Sequence, residues 1–230
     1  MLNLIKEYLP NVYNFGWTGD YGWGTAIWQT IYMTFWSGLI GGIMGLVAGV
    51  TLVITDENGF AKNKPVFFIL DKIVSLFRAI PFIIMLVIAL PISRNVFHAG
   101  IGPNGALLPL ALSLFPFYAR QVQAALAEIS PGLIEAGLAA GGNFWDLIGI
   151  YLKESRSELI RVSTVSIISL IGLTAMAGAI GSGGIGNMAV VLGYQRYYWD
   201  VMWLGTFIIL LMIFIVQFIG DTLAKRLNHQ

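Results

Sequence analysis

The chain has 230 residues, of which 57% are apolar and 11% charged, against roughly 25% charged residues in ordinary soluble domains. Thirteen basic and twelve acidic residues cannot coat a water-soluble enzyme of this size, and a net charge of +1 supplies no basic patch for nucleic acid. The absence of cysteine removes disulfides, thiolate metal sites and thiol catalysis, and His98 and His229 stand too far apart for a histidine cage.

What remains is an all-α integral membrane protein, and the gaps between charges locate its spans. No Asp, Glu, Lys or Arg occurs from Tyr21 to Thr55, Asn95 to Ala119, Val162 to Gln195 or Val201 to Gly220. A helix of about 20 apolar residues crosses a hydrocarbon core of about 30 Å. Backbone polar groups in lipid must be satisfied internally, and no alternating barrel pattern is present, so the spans are helical.

Residues 1–25 form an outer N-terminal segment. Their apolar run is too short for a secretory signal, and Trp17, Tyr21 and Trp23, with Trp28 just beyond, are aromatics of the membrane-interface kind. The transmembrane domain covers 26–230. Its first span, 26–54, carries Gly41, Gly45 and Gly49 at a small-xxx-small spacing that lets helix backbones approach. The second, 73–92, is interrupted by Arg78 and carries Pro81 and Pro91, which predicts a kinked helix or one that starts at the interface. Asp71 and Arg78 either reach toward headgroups at the inner interface or place charge in a pore wall or inner gate. The third span, 105–127, contains Pro109 and Pro116 and is expected to bend.

The inner connector, 128–158, is the most informative stretch. Ser130-Pro131 reads as a helix start, with Ser as N-cap and Pro in the first turn. Gly141-Gly142 ends that helix. Asn143 caps a second one, with Asp146 at its third position. There Phe144, Leu147, Ile148, Tyr151 and Leu152 recur at helical spacing, while Lys153, Glu154 and Arg156 face water. The pair is either an interfacial element lying on the bilayer or a docking element for a cytoplasmic partner.

In the fourth span, 160–180, Ser166, Ser169, Gly172 and Met176 fall within an arc of roughly 120°. That face either contacts another helix or lines a passage, with Met176 as a flexible apolar plug. Residues 181–186, Gly-Ser-Gly-Gly-Ile-Gly, match the dinucleotide fingerprint formally but lack its soluble βαβ setting. They read as a flexible turn or a tight re-entry at the outer mouth. The fifth span is 201–222.

Nine Lys and Arg residues fall on the inner side and three on the outer when the N-terminus is outside, which favours N-out, C-in; Arg78 lies within a span and is not counted. No phosphate-binding Gly-x-x-x-x-Gly-Lys-Ser/Thr loop exists, so any ATP-driven work needs another chain to bind ATP. The interiors of spans 26–54, 160–180 and 201–222 hold no ionisable group, which argues against a proton-coupled carrier, while sodium coupling through backbone carbonyls stays open.

Glu135-Ala136-Gly137-Leu138-Ala139-Ala140-Gly141 resembles the "EAA" signature of bacterial ABC-importer permeases. Phe77-Arg78-Ala79-Ile80-Pro81-Phe82, Pro131-Gly132-Leu133-Ile134-Glu135-Ala136, the run from Ala175 to Gly186, and Gln217-Phe218-Ile219-Gly220-Asp221 resemble the methionine-type permeases of that group. Two departures stand out. Position 137 is Gly where the signature has Ala, and Lys153-Glu154 stands where Leu-Pro is usual.

The resemblance implies about five transmembrane helices, N-out/C-in, with a cytoplasmic coupling helix between helices 3 and 4. It implies import of methionine, in L and D forms, delivered by an extracellular or lipid-anchored binding protein. Two copies of the chain would enclose the passage in the bacterial inner membrane. Two ATPase subunits would dock under Glu135, Ala136, Gly137, Ala139, Ala140 and Gly141 and would hold the ATP and Mg. This chain would have no cofactor, metal or catalytic residue of its own; membrane lipid would be a further partner and nucleic acid would not. The rival readings are an ion-coupled secondary amino-acid carrier and a passive channel.

Overall fold

The structure is a computed structural model that describes residues 6–98, 100 and 102–228; His229 lies outside them, as do the first five residues of the N-terminal segment. The described residues contain no strand. Nine labelled helices follow in order: α1 (Pro10–Phe15), α2 (Trp23–Thr55), α3 (Lys64–Ala79), α4 (Phe82–Phe97), α5 (Pro103–Ala127), α6 (Pro131–Ala139), α7 (Phe144–Glu154), α8 (Arg156–Ala177) and α9 (Trp199–Asn228). Between α8 and α9 lie a π-helical turn (Gly178–Ser182), one helical turn (Gly184–Gly186) and a π-helix (Asn187–Tyr194).

Among the described residues, three stretches are long and apolar enough to cross a membrane: Trp23–Thr55, Arg156–Ser182 and Trp199–Leu227. The pair Lys64–Ala79 and Phe82–Asn95 makes a fourth if it counts as one broken span. The predicted span 73–92 is therefore not one helix. Helix α3 ends just before Pro81, where Ile80 takes extended backbone (φ −78, ψ 120), the conformation that a following proline favours over the helical one. Pro91, by contrast, sits inside α4 without ending it.

The chain forms two compact units. The first takes residues up to Leu39, Pro81–Ala111 and Ile167–Val216; the second takes Ile40–Ile80, Leu112–Ser166 and Gln217 onward.

In the first unit, Trp23, Ala26, Ile185, Met188, Leu192 and Val201 form the core. Trp23 is thus no interface anchor: it is 5% exposed, and its indole N–H donates to the Val12 carbonyl at 3.2 Å. Trp17, Tyr21 and Trp28 do stay exposed. The N-terminal segment is held by a remote carboxylate. Asp200, at the start of α9, accepts from the Asn11 and Val12 backbone N–H groups at 2.9 and 3.2 Å and from Asn11 Nδ2 at 3.0 Å. These are first-turn donors that α1 cannot satisfy internally, so a negative charge there acts as a cap supplied from elsewhere in the fold. Asp200→Ala removes all three bonds, a loss of about 1.5–3 kcal/mol for bonds to a charged acceptor. The expected result is several-fold faster protease cleavage within residues 10–22, with Asp200→Asn intermediate. Unchanged cleavage would show that apolar packing alone holds the segment.

In the second unit, Val53, Tyr118, Val122, Leu126, Ile134, Leu147, Tyr151 and Val162 share one core. Gly45 and Gly49 meet α5 so closely that a β-carbon would lie 2.9 Å from the Phe115 carbonyl oxygen and 2.6 Å from Val122 Cβ, respectively. Gly220 of α9 lies directly against Thr164 of α8 in the same way. Small residues are the means by which helices in lipid bring backbones together.

Candidate functional site: the connector and the fourth span

The connector folds as a pinned helical hairpin. Ser130 occupies the N-cap position of α6, but its hydroxyl makes no cap bond, so Pro131 at the first position carries the start. Gly141, at φ +81, reverses the chain in a conformation that costs side-chain-bearing residues about 1–2 kcal/mol. Asn143 then accepts from the Trp145 and Asp146 N–H groups at 2.9 and 3.2 Å, while Asp146 accepts from the Asn143 N–H at 2.8 Å, a reciprocal capping box. Phe60, in the loop after α2, stacks on Tyr151 and meets Phe144 edge-on, with centroids 6.2 and 5.6 Å apart. Burial raises the Tyr151 pKa above its ordinary value, so the phenol stays neutral within this packing.

The six signature residues divide. Glu135, Ala136, Ala139, Ala140 and Gly141 are exposed. Gly137 faces the other way: a β-carbon there would lie 2.7 Å from Ile150 Cδ1 and 3.1 Å from Leu147 Cδ2. The glycine that departs from the signature is therefore where α6 rests on α7. Leu138 and Trp145, 50% and 75% exposed, flank the outward face. The sequence reading missed both. The available signal was a tryptophan off the apolar face of α7, next to a capping residue. The second departure, Lys153-Glu154, ends α7. The chain enters α8 after the single residue Ser155, whose hydroxyl donates to the Ala125 carbonyl at 3.3 Å.

The fourth-span stripe also divides. Ser166 is buried, with its hydroxyl donating to the Val162 carbonyl at 2.7 Å, whereas Ser169, Gly172 and Met176 are exposed. At 100° per residue the latter three lie within a narrow arc and Ser166 lies at its far edge, where the neighbouring packing reaches it.

Beyond Met176 the backbone doubles back. Gly181, Gly183 and Gly184 have φ of +91, +79 and +75, values that side chains disfavour. The returning chain is fastened to α2 in the first unit: the Gly184 N–H donates to Gln29 Oε1 at 2.7 Å and the Ile185 N–H to Thr30 Oγ1 at 2.9 Å. Gly178 and Gly186 allow the two limbs to touch, since a β-carbon at Gly178 would lie 2.6 Å from the Asn187 nitrogen. The Gly-rich run is a tight re-entry, with its Gly184 and Ile185 N–H groups already occupied by protein oxygens.

Residues 41–229 match the family model described as binding-protein-dependent transport system inner membrane component. The chain is 38% identical, over 90% of its length and 100% of the relative's, to a probable D-methionine transport system permease protein of Haemophilus influenzae. It is 39% identical, over 99% and 100%, to a methionine import system permease protein of Bacillus subtilis. Among solved structures, a chain of the MetNI methionine ABC transporter in inward-facing conformations superimposes with a TM-score of 0.86 at 36% identity, covering 88% of this chain and 94% of that one.

Proposed function

We propose, since this chain belongs to the family of binding-protein-dependent transport system inner membrane components, that it is the membrane permease subunit of an ATP-driven ABC importer for methionine. The observation that carries the reading is the connector. It presents Glu135, Ala136, Ala139, Ala140 and Gly141 outward on a hairpin locked by the Asn143–Asp146 box and by Gly137 against α7. A rigid projection with small residues at its tip is what a cytoplasmic motor needs to grip and move. Relatives named for D-methionine and for methionine support the substrate.

The chain crosses the bacterial inner membrane as five spans, N-out and C-in. These are α2, the broken pair α3–α4, α5, α8 with its π turn, and α9. Helix α5, at 25 residues, is about 37 Å long, enough to cross. Two copies enclose the passage, each contributing the exposed stripe Ser169, Gly172 and Met176. Two ATPase subunits hold ATP and Mg and dock under the connectors. Closure of that pair moves the connectors and alternates access. An extracellular or lipid-anchored binding protein delivers methionine to the outer mouth near Gly181–Gly186. The permease itself holds no nucleotide.

The rival is an ion-coupled amino-acid carrier, and uptake into vesicles separates the two. Vesicles of the assembled transporter are expected to accumulate methionine only with internal-side ATP, at a rate unchanged when ionophores collapse proton and sodium gradients. Uptake driven by an ion gradient without ATP would overturn the assignment.

A further inference from the structure

We propose that the cavity between α3 and α5 in the second unit binds the phosphate of an anionic phospholipid. Helix α3 has three faces. Phe67, Leu70, Val74 and Phe77 pack into a core with α2 and α5. Ile69, Ile73 and Leu76 form an apolar face that stays exposed. A third, polar stripe carries Asp71, Ser75 and Arg78. A helix with one protein face, one apolar face and one charged face belongs at a headgroup boundary.

Arg120 crosses from α5 to that stripe. Its Nη2 donates to the Asp71 carboxylate and, at 2.8 Å, to Ser75 Oγ, while its Nη1 donates to Gln123 Oε1 at 2.7 Å. Asp71 is thereby neutralised and Arg120 held in one geometry. Arg78 makes no hydrogen bond or ion pair among the described residues, yet it lines a cavity of about 560 Å³ together with Ser75, Ala79 and Arg120. Asp71 is paired by Arg120 and, at 3.8 Å, by Lys72, so Arg78 is the cation beside this space that has no acidic partner among the described residues.

Two guanidinium groups and a hydroxyl around one space select an anion with several oxygens, because a planar fork of N–H donors matches phosphate better than a point charge does. The exposed apolar face of the same helix selects an amphiphile over a free ion. The phosphodiester enters between Arg78 and Arg120, and the acyl chains pass over Ala79 to Leu76, the near edge of the apolar face at 100° per residue. Basic pockets between membrane helices take anionic headgroups for this reason. The inference does not depend on the identity of the transported substrate.

Native mass spectrometry of the full-length protein in detergent tests it, with phosphatidylglycerol and phosphatidylcholine supplied at equal concentration. Wild-type protein is expected to retain phosphatidylglycerol about tenfold over phosphatidylcholine. Arg78→Gln should lose that preference, and Arg78→Lys should keep part of it. Ala79→Glu places a carboxylate in the cavity wall without touching either arginine and should also lose it, which guards against a folding defect peculiar to position 78. Equal retention of phosphatidylglycerol by wild type, Arg78→Gln and Ala79→Glu would overturn the proposal. Displacement of the lipid by low-millimolar inorganic phosphate would also overturn it, by showing a site for the soluble ion.

Discussion

Replacing Gly49 with leucine is expected to disrupt the second unit, while the same replacement at Gly42 is tolerated. Both glycines lie in α2. At Gly42 a β-carbon meets nothing within 4 Å. At Gly49 it meets Val122 Cβ at 2.6 Å and the Ala119 carbonyl oxygen at 2.7 Å, and both of those residues are fully buried. A backbone oxygen cannot rotate away, so α2 and α5 must separate. Overpacking of this kind costs about 1–3 kcal/mol, and separation also removes the contacts of Ala48 and Leu52 with Phe115. For a chain of this size about 3 kcal/mol corresponds to a fall of roughly 6–12 °C in thermal midpoint. A thermal-shift comparison in detergent reads it directly. Equal midpoints for the two variants would mean that the close approach of α2 to α5 is not a source of stability.

The second large effect is uncoupling. Glu135→Lys reverses a charge on the exposed face of α6 and disturbs no packing among the described residues. Gly141→Trp adds bulk at the exposed reversal, in a backbone conformation (φ +81) that opposes it by about 1–2 kcal/mol. Both variants are expected to remain in the membrane and to lose at least about tenfold in ATPase association, no less than truncating an interface hot spot costs. Transport should fall in parallel. Gly141→Asn, which tolerates the left-handed conformation, should keep most of the association and so separates bulk from backbone strain. Normal assembly and uptake by both Glu135→Lys and Gly141→Trp would count against the connector as the coupling element.

These two predictions draw on different layers of what the sequence makes visible. The spans were legible because the energetic cost of a charge in lipid empties long stretches of Asp, Glu, Lys and Arg, and that emptiness survives without any knowledge of packing. The connector was legible because caps and reversals are local: Asn143 and Asp146 sit three residues apart, and Gly141 needs no distant partner to mark a turn. Even there the Ser130 hydroxyl stays unused, since proline at the next position suffices to start α6.

Long-range pairings were not legible. Asp200 meets Asn11 across 189 residues, Gln29 meets Gly184 across 155, and Arg120 meets Asp71 across 49. No periodicity links such positions; only the assembled helices bring them together. The same limit explains the divided motifs. A wheel places Ser166 at the edge of one face with Ser169, Gly172 and Met176, yet in the fold it is 3% exposed while the other three stay exposed. Gly137 reads as a weakened signature position until α7 is folded against it, whereupon its missing side chain becomes the reason α6 can lie where it does.

The central claim is that this chain does its work through a separate ATPase. The most direct measurement is to purify it from its native membrane in a mild detergent and assay the eluate for ATP hydrolysis, with and without methionine and the co-purified extracellular protein. The expected result is a stoichiometric ATPase partner whose activity responds to those additions. Recovery of the chain alone, without ATPase activity, in a detergent that preserves such complexes would contradict the claim.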